Sequence, residues 1–119
     1  MKTDLETIRK IIQDGFLDIV TDILEPSEDK LRIILKDKSF MDIRISQIVR
    51  NRFDFHWERR HIDKNIFRYD NFPDIRWKRL KSFPYHLHYK QENKVIETNF
   101  RKSLPYAFID FIEFVREKI

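Results

Sequence analysis

The chain of 119 residues contains no cysteine, which excludes a disulfide framework and thiolate metal ligation. It has one glycine, Gly15, so a glycine-rich phosphate loop cannot form and nucleoside-triphosphate chemistry of the usual kind is excluded. No apolar run approaches the roughly 20 residues that cross a bilayer, and the opening MKTDLETIRK lacks a signal-peptide apolar stretch. The expectation is a cytoplasmic protein with no membrane partner. What the chain has in quantity is charge and aromatic surface: 37% charged residues, 11 Phe, 4 Tyr and 2 Trp. That mixture suits one compact domain over residues 1–119 with a charged skin. The net charge of +4 favours polyanionic partners only slightly.

Periodicity organises the chain into an α+β pattern. Thr3-Asp4-Leu5-Glu6 has the spacing of a capping box. Leu5, Ile8, Ile11 and Ile12 follow at helical spacing, and Gly15 is placed to end the helix in a left-handed conformation. From Phe16 the period becomes two, with Leu17, Ile19 and Ile23 set against Asp18 and Asp22. A turn at 26–29 leads to Leu31, Ile33 and Leu35, then Met41, Ile43 and Ile45, a three-stranded meander. Ser103-Leu104-Pro105 opens a last helix, with Ser103 as its cap and Phe108, Phe111, Ile112, Val115 and Ile119 as its apolar stripe. The expected fold is a curved, mainly antiparallel sheet of five to seven strands, with N- and C-terminal helices packed on one face.

The middle of the chain carries the chemistry. Phe53, Phe55 and Trp57 alternate with Asp54, His56 and Glu58, and Phe67 and Tyr69 alternate with Arg68 and Asp70. Matching the apolar faces of these two strands in a hairpin collects His56, Glu58, Arg68 and Asp70 on the opposite face. The register expected from favourable charge pairs sets His56 across from Asp70 and Glu58 across from Arg68. Tyr85-His86-Leu87-His88-Tyr89 adds two histidines that share one face. A histidine bonded to a carboxylate is a unit of general acid–base catalysis, and a nearby arginine can hold a phosphate. Such a face could activate a ribose 2′-OH without metal. A solvated face carrying ion pairs accounts for the same spacing.

Two further features stand beside it. His86-x-His88 with Asp70 permits a metal site, since i and i+2 side chains of a strand point the same way. Between Pro73 and Pro84, the run Arg76-Trp77-Lys78-Arg79-Leu80-Lys81 reads as an exposed basic loop. Cations beside a stacking ring suit single-stranded RNA. A Trp77 tucked into the fold is the other reading of the same loop.

Three blocks in order, Phe53-Asp54-Phe55-His56-Trp57, Arg68-Tyr69-Asp70-Asn71-Phe72-Pro73 and Phe83-Pro84-Tyr85-His86-Leu87-His88, resemble the TumE-type toxin family of prokaryotic type II toxin–antitoxin systems. Members typically show an aromatic-His-Trp strand, an R-[WY]-D-N-x-P segment and F-P-x-H-x-H. Members often carry further histidines after that proline, where this chain has Asp74-Ile75. The resemblance implies a small cytoplasmic toxin neutralised by a protein antitoxin, and by analogy an action on RNA. It adds Asn71 to the polar face. The expected mechanism is metal-free RNA cleavage that calls for no cofactor. His56 and His86 or His88 serve as base and acid, Asp70 orients a histidine and Arg68 holds the scissile phosphate. Asn71, Arg76, Trp77, Lys78, Arg79 and Lys81 position substrate. A non-catalytic RNA- or protein-binding module is the rival reading, a metal hydrolase using His86, His88 and Asp70 the third. Homodimerisation is left open.

Overall fold

A computed structural model describes residues 4–119. The Thr3 end of the expected capping box lies outside them. Helix α1 (Asp4–Gly15) is followed by strands β1 (Val20–Ser27), β2 (Lys30–Leu35), β3 (Phe40–Ile45) and β4 (Phe53–Arg59). A single turn of helix, α2 (Arg60–Asp63), leads to β5 (Asn65–Asp70). A 3-10 turn at Ile75–Trp77 interrupts the connection to β6 (His86–Lys90), after which come β7 (Val95–Ile96) and α3 (Tyr106–Lys118). All seven strands form one antiparallel sheet in chain order, and it does not close into a barrel. The fold is therefore α+β.

Strand alternation divides the sheet into two faces. Leu31, Ile33, Met41, Ile43, Phe53, Phe55, Trp57, Phe67, Tyr69 and Leu87 lie on the first. Leu5, Ile8 and Ile12 of α1 pack there, together with Ala107, Phe108, Phe111, Ile112 and Val115 of α3. Edge-to-face rings bind the layers, as where Phe55 meets Phe108 at 5.6 Å. The one polar atom of buried Trp57 is satisfied, because its Nε1 donates to Ser39 Oγ at 2.9 Å. Arg116 donates to the Gly15 carbonyl and so ties α3 to the end of α1.

Four local expectations are corrected. Gly15 is the last residue of α1 and is not left-handed; Phe16 continues the helical pattern by donating to the Ile12 carbonyl. Residues 16–19 consequently form a turn, Leu17 is exposed, and the strand starts at Val20. A register shift between Val20 and Asp22 then lets both Val20 and Ile23 face the core although they are three apart. At the other end, Pro105 occupies the N-cap of α3 with no side-chain cap, and Ser103 contributes only its carbonyl, to Ala107 N–H.

The fourth correction matters most. His56 stands opposite Arg68, Asp54 opposite Asp70, and Glu58 opposite Ile66. The parity of the β4–β5 hairpin is as expected, but the pairing differs by a two-residue step. The observed register pairs Phe55 with Tyr69 and Trp57 with Phe67. The expected one would set Phe55 against Asn71 and lose one aromatic pair. Core-face packing outweighs cross-strand charge pairs worth only about 0.2–1 kcal/mol each.

Phe55, fully buried beneath Phe108 and Phe111, anchors this packing. Phe55→Ala is expected to lower unfolding free energy by about 3–5 kcal/mol, while Leu17→Ala, 63% exposed, stays within about 0.5 kcal/mol. Urea denaturation of both variants checks this.

Candidate functional site

The second face of the sheet is polar, and its side chains form rows with one residue per strand. Lys30, Arg44, Asp54, Asp70 and His86 make one row; Arg32, Asp42, His56, Arg68 and His88 make the next. At the β1–β3 side the groups neutralise one another, as where Arg32 binds Asp42 through two hydrogen bonds of 2.8 and 2.9 Å. At the β5–β6 side they bury themselves. Asp70, His86 and His88 are 5%, 2% and 6% exposed.

Asp70 sits between the two rings. Its Oδ1 lies 3.2 Å from His86 Nε2 and its Oδ2 lies 3.4 Å from His88 Nε2. The Phe72 N–H also donates to Oδ1. Burial alone would raise the Asp70 pKa, but the bonds to both histidines and the His86 charge outweigh it and hold the carboxyl at about 2. Burial likewise depresses His86, and the Asp70 hydrogen bond and charge overcome that, leaving it raised. The other ring nitrogens are anchored to backbone: His86 Nδ1 is 2.9 Å from the Pro84 carbonyl and His88 Nδ1 is 2.7 Å from the Glu92 carbonyl.

His56 belongs to a neighbouring network. Its Nδ1 accepts from Arg68 Nε at 3.2 Å, so its Nε2 carries the hydrogen that faces Glu58 at 3.1 Å. Arg68 also binds Glu92 and lies 3.7 Å from Asp54. Burial, offset in part by Arg68 and reinforced by the like charge of Asp70, raises the Asp54 pKa. Each of the three histidines thus has both ring nitrogens engaged. A metal-free base and acid drawn from them would first have to break one of these contacts.

The structure brings together His56, Arg68, Asp70, His86 and His88 on one face. Asn71 is buried at its border, with its amide spent on the backbone of Phe53 and Asn51. Of the basic loop, Arg76 is tied to its neighbour Asp74, Trp77 is half-buried, and Lys78, Arg79 and Lys81 are exposed. Four contributors were not singled out by spacing. Glu92 lies in a turn, and Arg44 and Arg52 carry no motif. Phe72, inside R-Y-D-N-F-P, is a 61% exposed aromatic whose ring lies 5.2 Å from the Arg52 guanidinium. Arg44, Arg52, Asp54, Asp70 and Phe72 share the wall of a cavity of about 610 Å³.

The family model described as Toxin TumE matches residues 5–119. No curated protein and no solved structure matches the chain.

Glu58, which orients His56, is held at a pKa of about 2: burial would raise it, but hydrogen bonds from Arg60 and His56 outweigh that. A depressed carboxyl stabilises the fold above its unfolded value near 4.5, and that contribution is lost as pH falls towards 2. Glu58→Gln is expected to flatten the acid limb of a stability–pH curve between those values. Chemical denaturation across that range reads the difference.

Proposed function

The chain belongs to the TumE toxin family, and from that premise we propose that it acts on RNA as an endoribonuclease held in check by a protein antitoxin. The observation that carries this reading is the buried Asp70 carboxylate between two imidazoles, on the wall of a cavity lined by Arg44, Arg52 and Phe72. Ribonucleotide chemistry needs a group that moves protons, cations for the phosphate and a surface for the base. That Asp70, Arg44, Arg52 and Phe72 line one cavity supports this reading.

In this scheme Asp70, His86 and His88 form the reacting centre. Arg68, 23% exposed at its side chain and reachable at the Glu92 end, holds the phosphate through its forked donors. His56 is a positioning residue, since it fixes Arg68 through Nε. The Arg52 guanidinium lies over the ring of the exposed Phe72; in this scheme an unstacked base packs against the ring surface that Arg52 leaves open, and Arg52 meets the adjoining phosphate. Asn71 holds the cavity wall by its backbone bonds. The basic loop, with Arg76, Trp77, Lys78, Arg79 and Lys81, extends the cationic track for the strand.

Two measurements test the reading. Purified protein is expected to cut single-stranded RNA, and His86→Ala to abolish both cleavage and growth arrest on expression. Phe72→Ala is expected to weaken RNA binding about tenfold, the loss of one stacked base. RNA left intact, together with undiminished toxicity of His86→Ala, would overturn the ribonuclease. Retained binding whose affinity depends on salt alone would identify a non-catalytic module instead.

A further inference from the structure

A backbone carbonyl only accepts, so the Nδ1 atoms of His86 and His88 must each carry hydrogen towards Pro84 and Glu92. In a neutral ring the remaining nitrogen, Nε2, is then a bare lone pair. Both Nε2 atoms face the Asp70 carboxylate. A lone pair facing a carboxylate is repelled unless something positive lies between them. With both rings neutral, two such lone pairs, on rings whose centres are 5.0 Å apart, face one carboxylate. A single divalent cation resolves the same conflict with both rings neutral.

We propose that Asp70, His86 and His88 bind one divalent first-row transition metal ion, of which zinc is the representative. Their ligand atoms all lie within 4.8 Å of one another. Each separation, 3.2 Å from His86 Nε2 to Oδ1 and 3.4 Å from His88 Nε2 to Oδ2, is near the roughly 3.4 Å between neighbouring ligand atoms on tetrahedral metal bonds of about 2.1 Å, with the carboxylate presenting one oxygen to each ring. Two imidazoles and a carboxylate suit zinc, cobalt or nickel, whereas magnesium and calcium take oxygen shells. The Nδ1–H bonds to carbonyls are the outer support that ligating histidines ordinarily have, and they fix ring orientation. The set stands on two paired strands rather than on loops, with Asp70 directly across from His86. Three protein ligands leave a fourth position, and Asp70 reaches the cavity from which water or a phosphate oxygen would enter.

The consequence for RNA, a Lewis acid beside the held phosphate, rests on the reading of the preceding subsection; the binding site does not. The test uses tag-free full-length protein, stripped by chelator and titrated with Co(II). A visible ligand-field band should rise to a break at one equivalent per chain, and Zn(II) should displace it. Asp70→Asn and the double variant His86→Gln/His88→Gln should each weaken Co(II) binding by about 100-fold or more. His61→Gln, in the exposed α2 turn, should leave it unchanged. Circular dichroism establishes that the variants fold; if one does not, the wild-type titration still decides. Absence of a break in the wild type, or its persistence in the double variant, overturns the site. A break at one equivalent with RNA left intact upholds the ion site while removing the RNA reading.

Discussion

The pairing of Phe55 with Tyr69 and of Trp57 with Phe67 across β4 and β5 governs both faces of the sheet. A strand's side chains alternate, so the register that brings these rings together beneath α3 also dictates which polar groups meet on the far side. It sets Arg68 against His56 and leaves Asp70 facing Asp54. The next pairing then delivers His86 to Asp70 and His88 to Arg68. The polar face is thus a by-product of core packing in its position, though not in its chemistry.

That chemistry is unusual for one side of a small sheet. Where Arg32 meets Asp42, opposite charges pair while still partly open to water, and the desolvation cost is modest. Where Asp70 meets two rings, all three groups are nearly closed off from water. Each imidazole spends one nitrogen on a backbone carbonyl, which turns the other inward. A purely structural ion pair needs no second histidine. The doubled arrangement concentrates donor atoms at one point.

Much of this was legible from residue order. Period-two alternation located β2 through β6, and the apolar stripes located α1 and α3. The shared face of His56, Arg68, Asp70, His86 and His88 followed from parity, which strand geometry makes reliable. The register did not follow, because parity admits every two-residue slip and local charge pairing favoured the wrong one. Ring packing beneath Phe108 decided it, and that contact spans more than 50 residues of sequence. Glu92, Arg44 and Arg52 stayed invisible for a related reason. Their place beside the site depends on how the sheet aligns, not on their neighbours in the chain. Gly15 misled in another way: a lone glycine after a helical stripe suggests a left-handed stop, but here the turn continues through Phe16.

The connection from β5 to β6 gives the molecule a division of labour. At its ends it is held firmly, by the Asn71 amide on one side and by Ser82 Oγ bonded to the Tyr85 carbonyl on the other. Its tip between Asp74 and Leu80 is secured by hydrogen bonds to its own neighbours, such as Trp77 N–H to the Asp74 carbonyl. Strand alignment is set by the aromatic rows and owes nothing to the length of that tip. Related chains could therefore lengthen, shorten or recharge it while Asp70 and the two histidines keep their distances.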